Sequence, residues 1–284
     1  MHPVVVSDLD QSHRKSVVKV LSRVPEVTLY FWVIKILATT VGETAADFLA
    51  TNLHMGLTTT TVVMSSLLVT ALVFQFRARR YVPGIYWLAV VLISVVGTLI
   101  TDNLTDNFGV SLRITTAVFA VALVATFALW FGIEKSLSVH TIYTARREGF
   151  YWSAILFTFA LGTAAGDLVA ETLAVGYWKS ALIFATVIGL VAVARFGLKL
   201  NAIAAFWMAY VVTRPLGASL GDYLSQPGHA GGLGLGTTGT SALFLLAILG
   251  VVSYLGFDQR AKRHTSEAAV LQPMGADDLI ENVA

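Results

Sequence analysis

Long apolar stretches separated by short polar connectors make up the chain from about residue 25 to residue 257. Eight of these stretches have roughly 20 residues, the length that crosses about 30 Å of hydrocarbon as an α-helix. The pattern predicts spans near 27–51, 57–76, 83–107, 112–133, 149–173, 179–197, 202–224 and 237–257. We therefore expect an all-α, polytopic membrane protein with eight transmembrane helices.

Four copies of one sequence skeleton occur in alternate spans. Each copy has a Trp, a Gly ten residues later and an Asp five residues beyond the Gly. The copies are Trp32/Gly42/Asp47, Trp87/Gly97/Asp102, Trp152/Gly162/Asp167 and Trp207/Gly217/Asp222. Such fixed offsets indicate internal repeats. Each repeat is predicted to be a helical hairpin whose odd-numbered helix carries the skeleton.

The repeats divide the chain into three regions. Residues 1–24 are expected to form a cytoplasmic amino-terminal segment, and residues 258–284 a disordered cytoplasmic tail. The membrane domain, 25–257, is predicted to contain repeats at about 25–79, 80–134, 145–199 and 200–257. No apolar h-region precedes the first span, so no signal peptide is expected.

Basic residues are distributed unevenly between the two sets of connectors. Fifteen of the nineteen Lys and Arg residues lie in the amino terminus, the connectors after even helices and the tail. Only Arg113 and Lys179 lie in the connectors after odd helices. The positive-inside rule then predicts that both termini are cytoplasmic. Every repeat would start on the same side, so the repeats are expected to be parallel, with the four odd helices forming a ring.

Composition agrees with a membrane location. The chain is 56% hydrophobic and 13% charged, with a mean hydropathy of +0.74, which is more apolar surface than one soluble core could bury. It contains no Cys, which excludes disulfides and thiolate metal sites.

One further pattern suggests a family. The segment Val24-Pro25-Glu26 leads through Trp32 into Gly42-Glu43-Thr44-Ala45-Ala46-Asp47. This repeated pattern, over about residues 24–257, resembles the bacterial family of uncharacterised "membrane-anchored proteins" built from a tandem repeat of unknown function. The resemblance implies the repeat architecture and a bacterial inner-membrane location. It implies no activity, so function has to be inferred from the residues.

A column of polar residues follows one face of each odd helix, because residues four apart lie on approximately the same face. Stepping by four through the skeleton Asp gives Lys35/Thr39/Glu43/Asp47/Thr51, Val90/Ser94/Thr98/Asp102/Asp106, Ile155/Phe159/Thr163/Asp167/Glu171 and Tyr210/Arg214/Ala218/Asp222/Gln226. These columns contain seven carboxylates. A carboxylate in hydrocarbon costs roughly 2.5–3.5 kcal/mol on insertion scales, so the seven are expected to face a polar interior. The alternative is that they lie beyond the hydrocarbon and only cap helix ends.

Oxygen-rich columns without Cys or His favour a hard divalent cation. Manganese is the first choice, and magnesium or calcium would satisfy the same chemistry. The expected ligands are Glu43, Asp47, Asp102, Asp106, Asp167, Glu171 and Asp222. Lys35 and Arg214 lie on the same columns and are predicted to be counter-ions of these acids or a gate.

Two other sets of skeleton residues have simpler interpretations. Gly42, Gly97, Gly162 and Gly217 are each followed four residues later by a small residue, a pattern that favours close helix packing. Trp32, Trp87, Trp152 and Trp207 lie near the start of each odd helix, where an interfacial aromatic belt is expected. A gate or cation–π role is the alternative for the Trp residues.

The functional hypothesis is a membrane transporter or channel for a divalent metal cation. Coupling of this transport to protons is an option within the hypothesis. The alternatives are a proton-coupled carrier of an organic solute and, more weakly, a membrane scaffold. An enzyme is not expected, because the sequence has no HExxH, nucleophile elbow or phosphate-binding Gly loop after a strand. The expected partners are the lipid bilayer and the small cation, with no nucleic acid and no organic cofactor. A homo-oligomer is compatible with the pattern.

Overall fold

The computed structural model describes residues 22–271, with side chains as far as Asp258. Within this range the chain forms eight α-helices and no β-strand. Their bounds are α1 Leu29–Asp47, α2 Leu57–Arg77, α3 Pro83–Asp102, α4 Leu112–Glu134, α5 Ala145–Asp167, α6 Tyr177–Phe196, α7 Ala202–Ser225 and α8 Gly236–Leu271. The all-helical class is confirmed, and the helices lie at the positions of the predicted spans.

Seven of the described helices, α2 to α8, are long and apolar enough to cross a membrane. The chain is therefore that of a multi-pass membrane protein. Helix α1 is not among the seven, and its 19 residues include Lys35, Glu43 and Asp47. The eighth span and the cytoplasmic location of the termini stay predictions.

Helices α1, α3, α5 and α7, here called the inner bundle, pack in a closed cycle in which each helix contacts two neighbours. In α3, α5 and α7, more than half of the residues in the most apolar stretch of the helix are buried. In the even helices, less than a quarter of the residues in that stretch are buried. The inner bundle thus forms the core, and the even helices surround it.

The skeleton glycines make this cycle possible. A Cβ atom on Gly42 would overlap Ser94 of α3, and one on Gly97 would lie 2.7 Å from Phe159 Cβ of α5. The same relationship recurs between α5 and α7, where Gly162 faces Arg214. It closes the cycle between α7 and α1, where Gly217 faces Thr39. Each glycine therefore receives a column residue of the next helix, and the lack of a side chain sets the close approach.

The hairpin prediction needs correction. The main partner of each even helix is the odd helix of the following repeat, with α2 on α3, α4 on α5 and α6 on α7, and α8 returns to pack on α1. The reason is that an odd helix uses two faces for its bundle neighbours, so the even helix occupies the outer groove next to the following odd helix. The repeats are consequently interlocked rather than independent.

Three odd helices end in a π-helical turn directly after the skeleton Asp, at Phe48–Asn52, Asn103–Asn107 and Leu168–Thr172. Each turn is closed by an i→i+5 backbone bond, for example from Leu53 N to Phe48 O at 3.0 Å. Helix α7 instead continues to Ser225 without a π turn. Single π turns are common at functional sites, and these three line one end of the inner bundle.

Helix α8 runs on to Leu271 and so extends into residues 258–271, the first part of the tail that was predicted to be disordered. This stretch has no Gly or Pro and is rich in residues that favour helix, including Arg260, Ala261, Lys262 and Glu267. A helix already anchored by packing extends easily through such a sequence. The predictions for residues 272–284 and 1–21 lie outside the described residues.

Candidate functional site

The polar columns of the four inner helices face one another across the inner bundle. Column residues from different helices are buried together, among them Thr39, Thr98, Thr163 and Arg214, each with no exposed surface. We call the end of the bundle that carries the four skeleton Asp residues the acidic end. The opposite end, which carries the Trp residues, is called the aromatic end.

Three carboxylates converge near the acidic end. Among the described residues, Glu43, Asp167 and Asp222 each place an oxygen within 4.8 Å of the other two. They come from α1, α5 and α7, so the convergence depends on the inner bundle. Glu43 and Asp222 are buried, and Asp167 is half-buried. Three carboxylate oxygens at this separation can coordinate one small divalent cation.

The remaining skeleton acids lie around this trio but outside it. Asp47 and Asp102 are half-buried, and each interacts electrostatically with Glu43. Together with the trio they form a set of five, here called the acid cluster: Glu43, Asp47, Asp102, Asp167 and Asp222. Of the four skeleton Asp residues predicted to line one cation pathway, Asp167 and Asp222 meet Glu43 in the trio, and Asp47 and Asp102 lie around it. The pathway itself stays a prediction.

Two further predicted ligands are at the mouth of the acidic end. Asp106 and Glu171 belong to the π-helical turns and are exposed. Glu171 accepts a hydrogen bond from Tyr177 Oη at 3.1 Å. Exposure therefore falls from these acids inward to Glu43, which is 5% exposed. The carboxylates of the acidic end are thus progressively more buried from Asp106 and Glu171 toward Glu43.

Below the trio, the Arg214 guanidinium fills the centre of the inner bundle. Its Nη2 donates to Glu43 Oε2 at 2.8 Å, to Thr163 Oγ1 at 2.6 Å and to Thr98 Oγ1. Its Nη1 donates to Thr39 O at 3.2 Å. Arg214 therefore contacts all three other inner helices and forms a buried ion pair with Glu43.

The position of Arg214 follows from one substitution within the repeat pattern. Glu43, Thr98 and Thr163 occupy the same column level on their helices, and on α7 this level is Ala218. The small side chain of Ala218 leaves room for the guanidinium, which rises from the level below. One helix thus supplies a cation where the other three supply oxygen atoms.

Charge in this region is not balanced. The acid cluster contributes five carboxylates, whereas Arg214 is the cation that pairs with it among the described residues. Buried carboxylates without counter-charges are disfavoured, so the cluster favours occupation by cations or protons. A site of this kind can bind a positive species from the acidic end.

Lys35 lies deeper still and does not pair with the acids. Its Nζ is buried and has no hydrogen-bond partner among the described residues. It lies 4.2 Å from the ring centroid of Tyr210 and 5.0 Å from that of Phe159. The geometry thus favours a cation–π environment rather than the predicted counter-ion role for Lys35.

The aromatic end is closed by packed rings. The hydroxyls of Tyr86 and Tyr151 lie 2.5 Å apart, and Phe31 packs against both Trp87 and Tyr210. All five of these side chains are at most 3% exposed. No open passage is therefore left along this part of the described bundle.

The aromatic-belt interpretation is wrong for three of the four skeleton Trp residues. Trp87, Trp152 and Trp207 are buried, and Trp32 is half-buried. The even helices and connectors cover the starts of the inner helices, so these rings pack inward. Trp207 Nε1, for example, donates to Leu137 O in the α4–α5 connector at 2.9 Å.

A second buried ion pair, absent from the predicted site, lies at the aromatic end. Arg23 Nη1 donates to Glu148 Oε2 at 2.7 Å, and Gln75 Nε2 donates to Glu148 Oε1 at 2.9 Å. The segment around Arg23 is also bound through its backbone to Tyr81 and Ile142. We call the group Arg23, Gln75 and Glu148 the clasp. Glu148 has no counterpart at its position in the other repeats, so the repeat pattern gave no signal for it.

Comparison with known protein families agrees with this architecture. The family model described as "Repeat of Unknown Function (DUF347)" matches residues 30–81, 85–136, 150–199 and 205–261. These four matches cover most of the chain, which therefore belongs to this family. The resemblance inferred from the sequence is thereby confirmed for the repeat family, and the bacterial origin stays a prediction. No curated protein and no solved structure matches the chain.

Proposed function

We propose that the chain is a membrane transporter or channel for a divalent metal cation, bound by Glu43, Asp167 and Asp222. The observation that carries the proposal is the convergence of these carboxylates to within 4.8 Å. Three acids from three helices, set inside an apolar bundle, form an electrostatically costly arrangement that a divalent cation would stabilise.

The surroundings of the trio support the same function. Asp106 and Glu171 at the exposed mouth would attract cations, and Asp47 and Asp102 would conduct them inward. Arg214 would neutralise Glu43 when no ion is bound and release it when an ion arrives. All of these ligands are oxygen atoms, which suits Mn²⁺ first and also Mg²⁺ or Ca²⁺.

The competing organic-solute carrier requires an apolar pocket next to the acids. An apolar groove of about 330 Å³ is present, lined by Phe127, Val191, Trp207 and neighbouring residues. It lies between α4, α6 and α7, and no member of the acid cluster lines it. We therefore propose a divalent metal cation, rather than an organic solute, as the transported species.

In the proposed setting, all eight helices cross a bacterial inner membrane and both termini are cytoplasmic. The basis is the excess of Lys and Arg in the connectors near the aromatic end. The acidic end would then face the outside of the cell, and cations would reach the acid cluster from there.

Thermal unfolding of the purified protein with Mn²⁺, Mg²⁺ or Ca²⁺ tests the binding site. An ion at 100 times its Kd stabilises the folded state by about 2.7 kcal/mol, so the wild type should show a raised Tm. Asp222→Asn should lose this response, whereas Glu134→Gln, a charge removal at the other end of the bundle, should keep it. An equal rise in both variants would contradict the site.

A further inference from the structure

An apolar groove on the side of the bundle has no part in the proposed site. Phe127 of α4, Val187 and Val191 of α6 and four residues of α7, including Trp207 and Met208, line its volume of about 330 Å³. We call it the side groove. Val191 and Trp207 form a buried floor, whereas Val187 and Met208 are exposed. The groove therefore opens on the outer surface of the membrane domain.

The side groove offers a ligand no free polar group. Its lining side chains are those of Val, Met, Phe and Trp, and the N–H among them, Trp207 Nε1, donates to Leu137 O. A polar ligand would leave its own donors and acceptors unpaired there, which is unfavourable. The groove thus suits a hydrocarbon chain.

The groove has the depth of one membrane leaflet. Val212, its lining residue farthest from the start of α7, lies ten residues from Ala202, a rise of about 15 Å. Val187 lies nine residues from Phe196, where α6 ends, a rise of about 13.5 Å. Half of a hydrocarbon core about 30 Å thick is also about 15 Å. A lipid acyl chain of the leaflet at the aromatic end can therefore lie along the groove.

Two exposed cations lie where this groove meets the aromatic end. Arg195 follows Val191 by one turn on the same face of α6, because residues four apart share a face. Its Nη1 donates to Leu200 O at 3.4 Å, so the guanidinium lies beside the α6–α7 connector. Lys199 belongs to that connector and is also exposed. Both cations are thus at the depth expected for a lipid headgroup.

No nearby acid neutralises these cations. Among the described residues, no carboxylate forms an ion pair with Arg195 or Lys199. Glu134, the acid at the end of α4, is already paired with Arg146 and Arg147, at 2.5 and 2.6 Å. The connector therefore keeps a positive charge that attracts an anionic headgroup.

The same connector carries apolar side chains that favour contact with lipid. Phe196 is 85% exposed and Leu198 is 79% exposed, and they alternate with the two cations along the chain. In a membrane interface such apolar groups enter the hydrocarbon while Lys and Arg reach the phosphates. The connector thus fits the boundary between lipid chains and headgroups.

We propose that the side groove binds an anionic phospholipid of the leaflet at the aromatic end. One acyl chain lies in the groove, and Arg195 and Lys199 bind the headgroup phosphate. Bilayer hydrocarbon is as apolar as the groove, so the chain alone gains only packing. Headgroup charge then decides which lipid binds, each cation favouring an anionic lipid by about fivefold. No member of the acid cluster lines the groove, so the proposal does not rest on the proposed function.

Native mass spectrometry of the full chain, released from detergent micelles, counts bound lipids and tests the proposal. Phosphatidylglycerol and phosphatidylcholine with identical acyl chains differ in net headgroup charge. Arg195→Gln/Lys199→Gln removes both proposed headgroup contacts. The matched control is Arg79→Gln/Arg80→Gln, which removes two exposed cations from the α2–α3 connector at the same end of the bundle.

A second pair of variants tests the groove itself. Val187→Trp fills part of it with a larger side chain. Val193→Trp is the control, because Val193 is 64% exposed and lies about 200° around α6 from Val191. Glycerol 3-phosphate, which has a phosphate and no acyl chain, serves as a competitor that separates lipid binding from binding of a free phosphate ester.

The wild type should bind its first phosphatidylglycerol at least about tenfold more tightly than its first phosphatidylcholine. Arg195→Gln/Lys199→Gln should lower the affinity for phosphatidylglycerol by about tenfold or more and leave that for phosphatidylcholine unchanged. Val187→Trp should lose the most tightly bound lipid of either kind. Both controls should match the wild type, and glycerol 3-phosphate should not compete.

Several results would overturn the proposal. Equal affinity of the wild type and Arg195→Gln/Lys199→Gln for phosphatidylglycerol would exclude the headgroup contacts; both residues are exposed, so this variant decides even if Val187→Trp does not fold. Competition by glycerol 3-phosphate would indicate a free phosphate ester instead. A dimer that excludes lipid and is lost in Val187→Trp would place a second copy in the groove. Each of these results leaves the divalent-cation site untouched.

Discussion

Arg214 Nη2 lies 2.8 Å from Glu43 Oε2, although the two residues are 171 positions apart and belong to the last and first repeats. The contact joins α7 to α1, the helix pair that closes the inner bundle. It also joins the cation of α7 to the one trio member that lies a full turn below its neighbours. Stability and ion binding should therefore both depend on this pair.

The first prediction concerns the stability of that pair. Arg214→Gln should destabilise the fold by about 3–5 kcal/mol, because it leaves Glu43 buried without a counter-charge. Thermal unfolding in detergent measures the loss as a lowered Tm. The double variant Arg214→Gln/Glu43→Gln should recover much of it, because both charges are then absent. A double variant no more stable than Arg214→Gln alone would contradict the pairing.

The second prediction concerns helix packing. Gly217→Ala should lower stability by about 1–3 kcal/mol, because the new methyl group would overlap Thr39 of α1. Gly189→Ala is the matched control, since nothing lies within 4 Å of a Cβ at Gly189 in α6. The control should be neutral or stabilising by up to about 1 kcal/mol. Equal Tm values for the two variants would show that Gly217 does not set the helix approach.

Much of this packing could be predicted from the sequence. The Trp, Gly and Asp offsets repeat because each inner helix presents the same face to its neighbour, and the positions of helices α2 to α8 follow directly from hydropathy. The even-helix partners could not be predicted in this way. A connector of a few residues permits α2 to lie on α1 or on α3, and the choice depends on how the inner bundle fills its own grooves.

The third prediction concerns the clasp at the aromatic end. Arg23→Gln and Glu148→Gln should each destabilise the fold, because Glu148 is fully buried and Arg23 is mostly so. In a double-mutant cycle the two substitutions should show a coupling energy of about 0.5–3 kcal/mol. Tm values or denaturant midpoints of the four proteins give this quantity. If the destabilisation in the double variant equals the sum of the two single destabilisations, the coupling energy is zero and the ion pair does not stabilise the fold.

The fourth prediction concerns orientation. The chain has no Cys, so single cysteines can be labelled without background. His140 and His229 are both exposed and lie at opposite ends of the bundle. In intact cells, a membrane-impermeant thiol reagent should modify His229→Cys and leave His140→Cys unmodified. Modification of both from the same side would contradict the predicted topology.

The site was only partly predictable. All seven column acids were identifiable because carboxylates are rare in spans, yet their depth along the axis was not. The trio includes Glu43 and excludes Asp47 and Asp102, because sequence offsets alone do not give the distances between carboxylates on different helices. The oxygen contacts of Arg214 with Thr98 and Thr163 depend on Ala218, whose importance emerges only when the four columns are placed side by side.

Uptake of ⁵⁴Mn²⁺ into proteoliposomes is the most direct test of the central claim, that the inner bundle transports a divalent cation through its carboxylate trio. The wild type should accumulate the ion along an imposed gradient. Asp167→Asn and Asp222→Asn should reduce the rate by more than about tenfold, while Glu134→Gln should transport like the wild type. Wild-type rates in both Asp variants, or a wild type that moves no divalent cation but carries an organic solute along a proton gradient, would contradict the claim.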